Sequence, residues 1–576
     1  MITALAALLV AASAPEAPRF SPRPNRAGEI SWSPWGEAPF ARARATKRPV
    51  LLSLSAVWCH WCHVMDETTL SDPRVIAALN EGAIPVRVDA DQHPDVERRY
   101  LLGGWPTVAF LDADGRLLGG GTYVAPDAFL AMIAQARDLA PFGDARPSSD
   151  VDEAAPATTP LAEGAAAVVR SVQASVDRER GGFGRGQKFP DEDAVQLLLE
   201  HEPAAALLTL RAFARGETFD DAEGGFYRYA TRPDFTEPHY EKMLVVNAEL
   251  ARDCAASGDP ALALAAQATL GYLRTTLFDA ASGALWPSQD ADEAYSRSPR
   301  EARARLVPPR VDRTSLADRT GLAAAALFDA ASALGDPAVA DLARAATDHL
   351  LAAHALAGGG FAHVPGGDAL LLGDQAGALA ALTRAYEWTG GPRYLDAALA
   401  TEAAMERSLA APSGGWYDAP ARPSAPGLLR ERGRPLVDNA RAAEELLRLA
   451  ALTDEEPLAE RARRALQAFA GAAPRLGTQG ARWALAAELA GRGPLVLAVV
   501  GPAKDLRTRA LRGVAERFPS LRKLVRPVDP ASRKTRFPGG APALYACLGK
   551  ACSSPLRDPA EAPAALAAFV ARQGVR

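Results

Sequence analysis

Two thiols stand three residues apart in Trp58-Cys59-His60-Trp61-Cys62-His63, a spacing suited to thiol–disulfide exchange. The apolar run Val50-Leu51-Leu52-Ser53-Leu54-Ser55 leads into them as a buried strand, and a helix is expected from Cys62 toward Asn80. A cysteine at a helix N-terminus meets unpaired backbone N–H groups and the positive end of the helix dipole. Both favour the thiolate, the reactive form. Cys59 is therefore the expected nucleophile and Cys62 the resolving thiol, with Trp58 and His60 supporting them; a protonated His60 adds positive charge. The same residues admit other chemistry. Cys59, Cys62 and His63 match a c-type haem attachment pattern, all four Cys and His are zinc ligand types, and two cysteines can simply fill a core.

The elements around them favour the redox reading. Ala83–Asp89 reads as a second strand, Val108–Leu111 and Leu117–Gly120 as a hairpin about Asp114-Gly115, and a helix from about Ala125 to Leu139 closes the unit. Thioredoxin folds place a proline after the third strand, usually with a cis bond, against the C-x-x-C, and Pro106 sits where that proline would be. No cofactor and no resident metal is expected; the partner would be a thiol or disulfide client protein, or a reductase.

A second set of chemical residues lies in the middle of the chain. Pro238-His239-Tyr240-Glu241-Lys242-Met243-Leu244 sets an imidazole beside a carboxylate and a lysine at an expected helix start. His239 suits general acid/base work; the alternative is a helix-start cluster with Glu241 facing the dipole and Lys242 solvated or ion-paired. Asp290 and Asp292, on a loop after Trp286, suit sugar hydroxyls, a cation or proton transfer, or merely solvent. Asp374 and Asp438 each open a helix, where an N-cap role competes with a site role. Tyr227, Tyr229, Trp286, Phe361, Trp388, Trp416 and Tyr417 offer stacking faces for a sugar or another flat ligand.

Between about Leu161 and Leu489, alanine- and leucine-rich helical patterns are broken by glycine before an aromatic residue. The copies are Gly181-Gly182-Phe183, Gly224-Gly225-Phe226, Gly283-Ala284-Leu285-Trp286, Gly359-Gly360-Phe361 and Gly414-Gly415-Trp416. One copy reads as a helix C-cap. The series reads as a ring of helical hairpins whose loops gather at one mouth, glycines approaching a cavity and aromatics lining it. The mouth would then be the principal pocket, walled by His239, Glu241, Lys242, Asp290, Asp292, Asp374 and Trp416.

Composition sets bounds. At 576 residues, with 48% hydrophobic and 23% charged content, the chain is globular and multidomain. A net charge of −5 points to no nucleic acid, and five cysteines make no disulfide scaffold. Cys254 reads as inert core, whereas Cys547 and Cys552 are free to pair locally or stay reduced. Residues 1–15 carry an apolar stretch and Ala12-Ser13-Ala14, as in a signal peptide, though without a basic start; a periplasmic or secreted location is expected, with cytoplasmic the alternative. No later run is long and apolar enough to span a membrane.

Together these motifs resemble the spermatogenesis-associated protein 20 type family. The residues that carry the resemblance are Trp58–Met65, Gly104-Trp105-Pro106, Gly225–Tyr229, Pro238–Leu244 and Gln289–Asp292. The resemblance implies an α/β thioredoxin-like domain fused to an all-α (α/α)6 toroid, similar to N-acylglucosamine 2-epimerases and six-hairpin glycosidases. The family's Trp-Asn-Gly is replaced here by Asp318-Arg319-Thr320-Gly321, and only His239 is available where the epimerases use two histidines. The expected spans are a lead-in at 1–20, the thioredoxin-like domain at 21–140, a linker at 141–160, the toroid at 161–490 and a small α/β appendage at 491–576. The leading function is a thiol–disulfide oxidoreductase or redox sensor on a ligand-binding toroid. A carbohydrate-active enzyme and a non-catalytic scaffold are the alternatives.

Overall fold

The computed structural model describes residues 19–140, 152–529, 537 and 541–573. The leader expected over residues 1–20 lies almost wholly outside the described residues, as does the first part of the expected linker. The chain divides into two compact units, 1–149 with 422–431, and 150–421 with 432–576.

The first unit contains α1 (Glu37–Thr46), β1 (Val50–Ser55), α2 (His60–Glu67), α3 (Pro73–Gly82), β2 (Ile84–Asp89), α4 (Pro94–Tyr100), β3 (Thr107–Leu111), β4 (Leu117–Gly121) and α5 (Pro126–Leu139). The sheet order is β2-β1-β3-β4, with β1 parallel to β2 and antiparallel to β3: a thioredoxin-like fold. Both sheet faces are covered, so β1 is buried at every position rather than at alternate ones. Val50, Leu52 and Leu54 pack with Phe40, Val96 and Tyr100 on one face. Leu51 packs with Val108, Phe110, Phe129 and Ile133 on the other.

Residues 422–431, expected inside the toroid, group with this unit. Leu428 and Leu429 join the first core face, and the Tyr100 hydroxyl donates to Gly115 O (2.9 Å) while accepting from Leu428 N (2.8 Å). Gly115 and Gly427 meet so closely that a Cβ on Gly115 would lie 2.2 Å from Gly427 Cα.

In the second unit, residues 152–160 are not a free linker. Asp152 pairs with Arg434 (2.8 Å), and Gln467 donates to the carbonyls of Ala157 and Thr159. The helices are α6 (Leu161–Ser175), α7 (Glu192–His201), α8 (Pro203–Arg215), α9 (Leu244–Ala256), α10 (Pro260–Tyr272), the short α11 (Glu293–Ser296) and α12 (Arg300–Arg303), α13 (Ala317–Leu334), α14 (Pro337–Ala353), α15 (Leu372–Thr389), α16 (Pro392–Leu409), α17 (Leu436–Thr453), α18 (Glu456–Gln467) and α19 (Ala481–Arg492). Their packing closes a ring. Six inner helices touch in the order α7, α9, α13, α15, α17, α19 and back to α7. Each carries one outer helix: α8, α10, α14, α16, α18 and, for α19, the first helix α6. This is the expected (α/α)6 toroid. Inner and outer helices alternate along the chain, so the inner ones run in one direction and begin at one mouth.

The glycine motifs all build the same joint. The backbone returns from each outer helix through a glycine at positive φ (Gly181, Gly224, Gly283, Gly359 and Gly414). It then forms one antiparallel bridge: Val176 to Phe183, Phe219 to Phe226, Phe278 to Leu285, Ala355 to Phe361, and Ala410 to Trp416. At three of these joints an amide on the next inner helix grips both polar groups of the bridging residue. Asn247 accepts from Phe226 N (2.6 Å) and donates to its carbonyl (3.0 Å), and Gln375 and Asn439 hold Phe361 and Trp416 in the same way. The side chains of Phe183, Phe226, Leu285, Phe361 and Trp416 are buried, so these aromatics are core rather than cavity lining.

Ion pairs fill the ring. Arg441 of α17 reaches Glu249 of α9, the opposite inner helix, at 3.0 Å. Arg482 joins Asp193 and Glu444, and Arg384 joins Glu445 and Asp329. The lumen is therefore not an open channel. The C-terminal ends of the inner helices meet the appendage: β10 (Leu495–Val500), α20 (Leu506–Arg517), β11 (Lys523–Val528), β12 (Ala543–Leu548), β13 (Ala551–Cys552) and α21 (Ala562–Arg572). Glu387 of α15 accepts from Val525 N (3.0 Å) and pairs with Arg448 of α17. The appendage sheet runs β11-β10-β12-β13, parallel between β10 and β11 and antiparallel elsewhere, the same order and sense as the N-terminal sheet.

Candidate functional site

The dithiol sits where β1 ends. Cys59 is the N-cap of α2, and its Sγ accepts the Cys62 N–H at 3.1 Å. Cys59 and Cys62 are joined as a disulfide, and both are buried. Trp58 is fixed by its indole N–H donating to Asp91 (2.6 Å) and by edge packing on Trp105 (5.3 Å). The Trp105–Pro106 bond is cis, and Pro106 is buried. His60 is half-buried against Trp61, which is 45% exposed and packs on the exposed Tyr123: an apolar lip beside the thiols.

One turn beyond Cys62, Asp66 is fully buried and held by both terminal nitrogens of Arg87 (2.8 and 2.9 Å) and by Ser21 N. Burial raises its pKa more than Arg87 lowers it. Asp91, Asp66 and Arg87 are supporting residues that the sequence did not flag. Their signal is only a carboxylate one helical turn after the motif and an arginine inside an apolar strand.

In the toroid, a short ladder brings two predicted motifs together. β5 (Tyr229–Ala230) pairs with β6 (Pro238–His239), and β7 (Lys242–Met243) pairs with β8 (Ser288–Gln289), which pairs with β9 (Val311–Asp312). Lys242 lies opposite Gln289, so Glu241 and Asp290 are the next positions along that ladder. His239 Nδ1 is 3.6 Å from Glu241 Oε2. The His239 ring stacks on Tyr229 (4.4 Å, 14°), and Tyr229 stacks on Phe189 (4.4 Å, 17°), whose outer face is exposed. Glu241 is buried; desolvation raises its pKa, but His239 and Arg228 more than offset this, and the carboxyl is held below its usual value.

Other nominated residues have structural roles. Lys242 is buried, bonding Asp220 (2.6 Å) and the Gly224 carbonyl (2.7 Å) over the Tyr272 ring. Lys188 does the same for Asp177 and Gly184. Asp292 caps α11 by accepting Tyr295 N. Trp416 is core, its indole donating to Glu406, and is no stacking face.

The mouth of the ring holds a cavity of about 360 Å³ over the starts of α7, α19 and α17, lined by Glu153, Asp191, Glu192, Asp193, Val437 and Gln479 among others. None of the seven nominated toroid residues lines this cavity, and at the Gly-aromatic joints Phe183, Phe226, Leu285, Phe361 and Trp416 turn inward to the core. Burial pushes Glu192 up to about 8, reinforced by Glu249, and Asp191 up to about 6, while Arg482 and Arg441 hold Asp193 well below the usual range against its own burial. The other cluster at this end is Asp318, His363 and Asp374. His363 Nδ1 is 2.7 Å from Asp374 Oδ1, and burial raises Asp374 to about 6 despite His363. His363 was not singled out; its only sequence mark is its place two residues after Phe361.

A family model described as "Thioredox_DsbH: Protein of unknown function, DUF255" matches residues 23–140. The N-terminal domain is thioredoxin-like. Over 115 residues, 19% of this chain and 18% of the relative, it is 34% identical to "Thiol:disulfide interchange protein DsbD" of Ralstonia nicotianae. Over 312 residues the chain is 30% identical to "Spermatogenesis-associated protein 20" of Mus musculus, covering 46% of this chain and 39% of that protein. The matched span is thus well under two thirds of that relative's length. The helical unit is similar in architecture to a solved "sugar epimerase from ruminal bacterium", at 13% identity and TM-score 0.43, covering 52% of this chain and 82% of that one. Among the described residues, no helix is long and apolar enough to cross a membrane.

Proposed function

We propose that the chain is a thiol–disulfide oxidoreductase carried on a toroid that binds a polyhydroxylated ligand. The observation that carries the redox half is Cys59 as the N-cap of α2, with its sulfur receiving the Cys62 N–H. A sulfur in that position is stabilised as thiolate by a hydrogen bond and by the helix dipole. In the reduced form, Cys59 thiolate attacks a client disulfide, forming a mixed disulfide and releasing one client thiolate. Cys62, deprotonated, then attacks Cys59 Sγ, expels the second client thiol and closes the Cys59–Cys62 bond. A dithiol reductase must return the electron pair for turnover. The lip of Trp61 and Tyr123 supplies apolar surface for the client. An oxidising compartment such as the periplasm suits a chain whose Cys547 and Cys552 are also paired.

In an insulin-reduction assay, the wild type should precipitate insulin chains and Cys59→Ser should not. Cys62→Ser should instead trap a mixed disulfide, seen as a mass adduct lost on adding dithiothreitol. A wild type with no reductase activity and no trapped adduct would overturn this reading.

The second half rests on the Phe189–Tyr229–His239 stack, which offers a flat exposed face above the buried Glu241. Aromatic faces with hydrogen-bonding acids suit a sugar ring. A thermal-shift screen against a sugar panel should give a response that His239→Ala removes with little loss of stability. If no sugar shifts the wild type and His239→Ala clearly lowers the melting temperature, the stack is structural.

A further inference from the structure

We propose that Asp318, His363 and Asp374 form a binding site for one divalent first-row transition-metal ion at the mouth of the toroid. The helices that carry the carboxylates are forced together: a Cβ on Gly321 would lie 2.3 Å from the Gly377 backbone, and one on Gly377 2.8 Å from the Asp318 carbonyl. That close approach of α13 and α15 sets Asp318 and Asp374, each in a first helical turn, side by side. Asp318 N donates to Asp374 Oδ1 at 3.1 Å. The loop before α15 brings in the imidazole and is itself fixed, since the His363 carbonyl accepts Ala317 N at 2.9 Å.

One ligand atom from each side chain lies within 4.8 Å of the other two. His363 Nδ1 is 2.7 Å from Asp374 Oδ1 and 3.9 Å from Asp318 Oδ1. Bonds of about 2.1 Å to a common ion place neighbouring ligand atoms about 3 Å apart and opposed ones about 4 Å apart, so the three need little movement. The second oxygen points to a ligand independently. Asp374 is only 1% exposed, yet its Oδ2 has no hydrogen-bond partner. A buried carboxylate oxygen is rarely left so, because its desolvation goes unrepaid. One imidazole with two carboxylates suits Zn2+, Mn2+, Fe2+ or Co2+ better than softer or harder ions. The comparable cluster Glu200, His201 and Glu488 lacks this feature, because Arg522 already pairs with both of its carboxylates. Asp318 is partly exposed, which gives the ion a way in.

The test uses the full chain, freed of metal by chelation, carrying no histidine tag and with both disulfides closed so that no thiolate competes. Zn2+ and Mn2+ are titrated by calorimetry and by thermal shift. The expected result is one equivalent bound per chain with a raised melting temperature. His363→Gln and Asp374→Asn should each weaken binding at least tenfold, while Glu200→Gln stays within twofold of wild type. Co2+ added to the wild type gives a readout that needs no variant: imidazole–carboxylate ligation intensifies and shifts its visible band. Asp318→Asn, at the exposed edge, replaces either buried variant if that one does not fold. No uptake at millimolar metal, a Co2+ spectrum of the free aqua ion, or uptake unchanged by these substitutions overturns the proposal.

Discussion

Lys242 shows how a residue with catalytic credentials becomes a strut. Its ammonium is enclosed by the Asp220 carboxylate, the Gly224 carbonyl and the Tyr272 ring, and burial lowers its pKa more than Asp220 restores it. Removing one partner of a buried pair typically costs about 3–5 kcal/mol; Arg303 still neutralises Asp220, so Lys242→Met should cost about 2–3 kcal/mol in urea unfolding. An unchanged midpoint with lost ligand turnover would restore Lys242 as a reacting group. Glu192 gives a pH signature. Burial raises its folded pKa to about 8 from the usual 4.5, so the folded chain holds a proton that the unfolded chain has lost across that window. Stability should therefore fall as pH rises from about 4.5 to 8, and Glu192→Gln should remove part of that fall. The expected gain is roughly 2–4 °C in melting temperature at pH 8, with little change at pH 5. A variant curve parallel to wild type at every pH would show that Glu192 is ionised without penalty.

The repeated joint was legible as an element because a backbone at positive φ, passing close to another helix, admits little but glycine. What holds the joint was not. Asn247, Gln375 and Asn439 lie 21, 14 and 23 residues from the groups they grip, and an amide in the first turn of a helix carries no local mark of so distant a partner. Trp416 failed for a related reason: a tryptophan after two glycines reads equally well as a stacking face or as core, and only the closed ring decides. The joint makes a definite forecast. Replacing Asn247, Gln375 or Asn439 by alanine leaves a buried N–H and a carbonyl without partners, at about 1–3 kcal/mol each. Equilibrium unfolding of the single variants measures this, and costs below about 0.5 kcal/mol would mean that water substitutes for the amide.

At the scale of the molecule, the α/β, toroid and appendage order could be read from the periods of the sequence, whereas the contacts that close the ring could not. Arg441 meets Glu249 across 192 residues, and no pattern in either helix announces a partner on the opposite side. The same holds at the far end of the ring. The appendage repeats the strand order of the N-terminal domain, but its β10-to-α20 turn carries Gly501-Pro502-Ala503-Lys504 where the other carries the dithiol. Its part here is to cover the ends of the inner helices, with Glu387 as the link: one carboxylate takes both the Arg448 guanidinium and the Val525 N–H. Glu387→Gln keeps the size but loses the charge, leaving buried Arg448 with the uncharged amide, the Lys523 carbonyl and only the more distant Glu445 carboxylate, 4.0 Å away. Hydrogen exchange should then rise in β10 and β11 and at the ends of α15 and α17, while β1 and β3, in the other unit, keep their protection. Faster exchange in every element alike would mean that the substitution lowers global stability and that the appendage is not a separately opening cover. Exchange unchanged in β11 would mean that the apolar packing of β11 on α15, rather than this carboxylate, holds the far end shut.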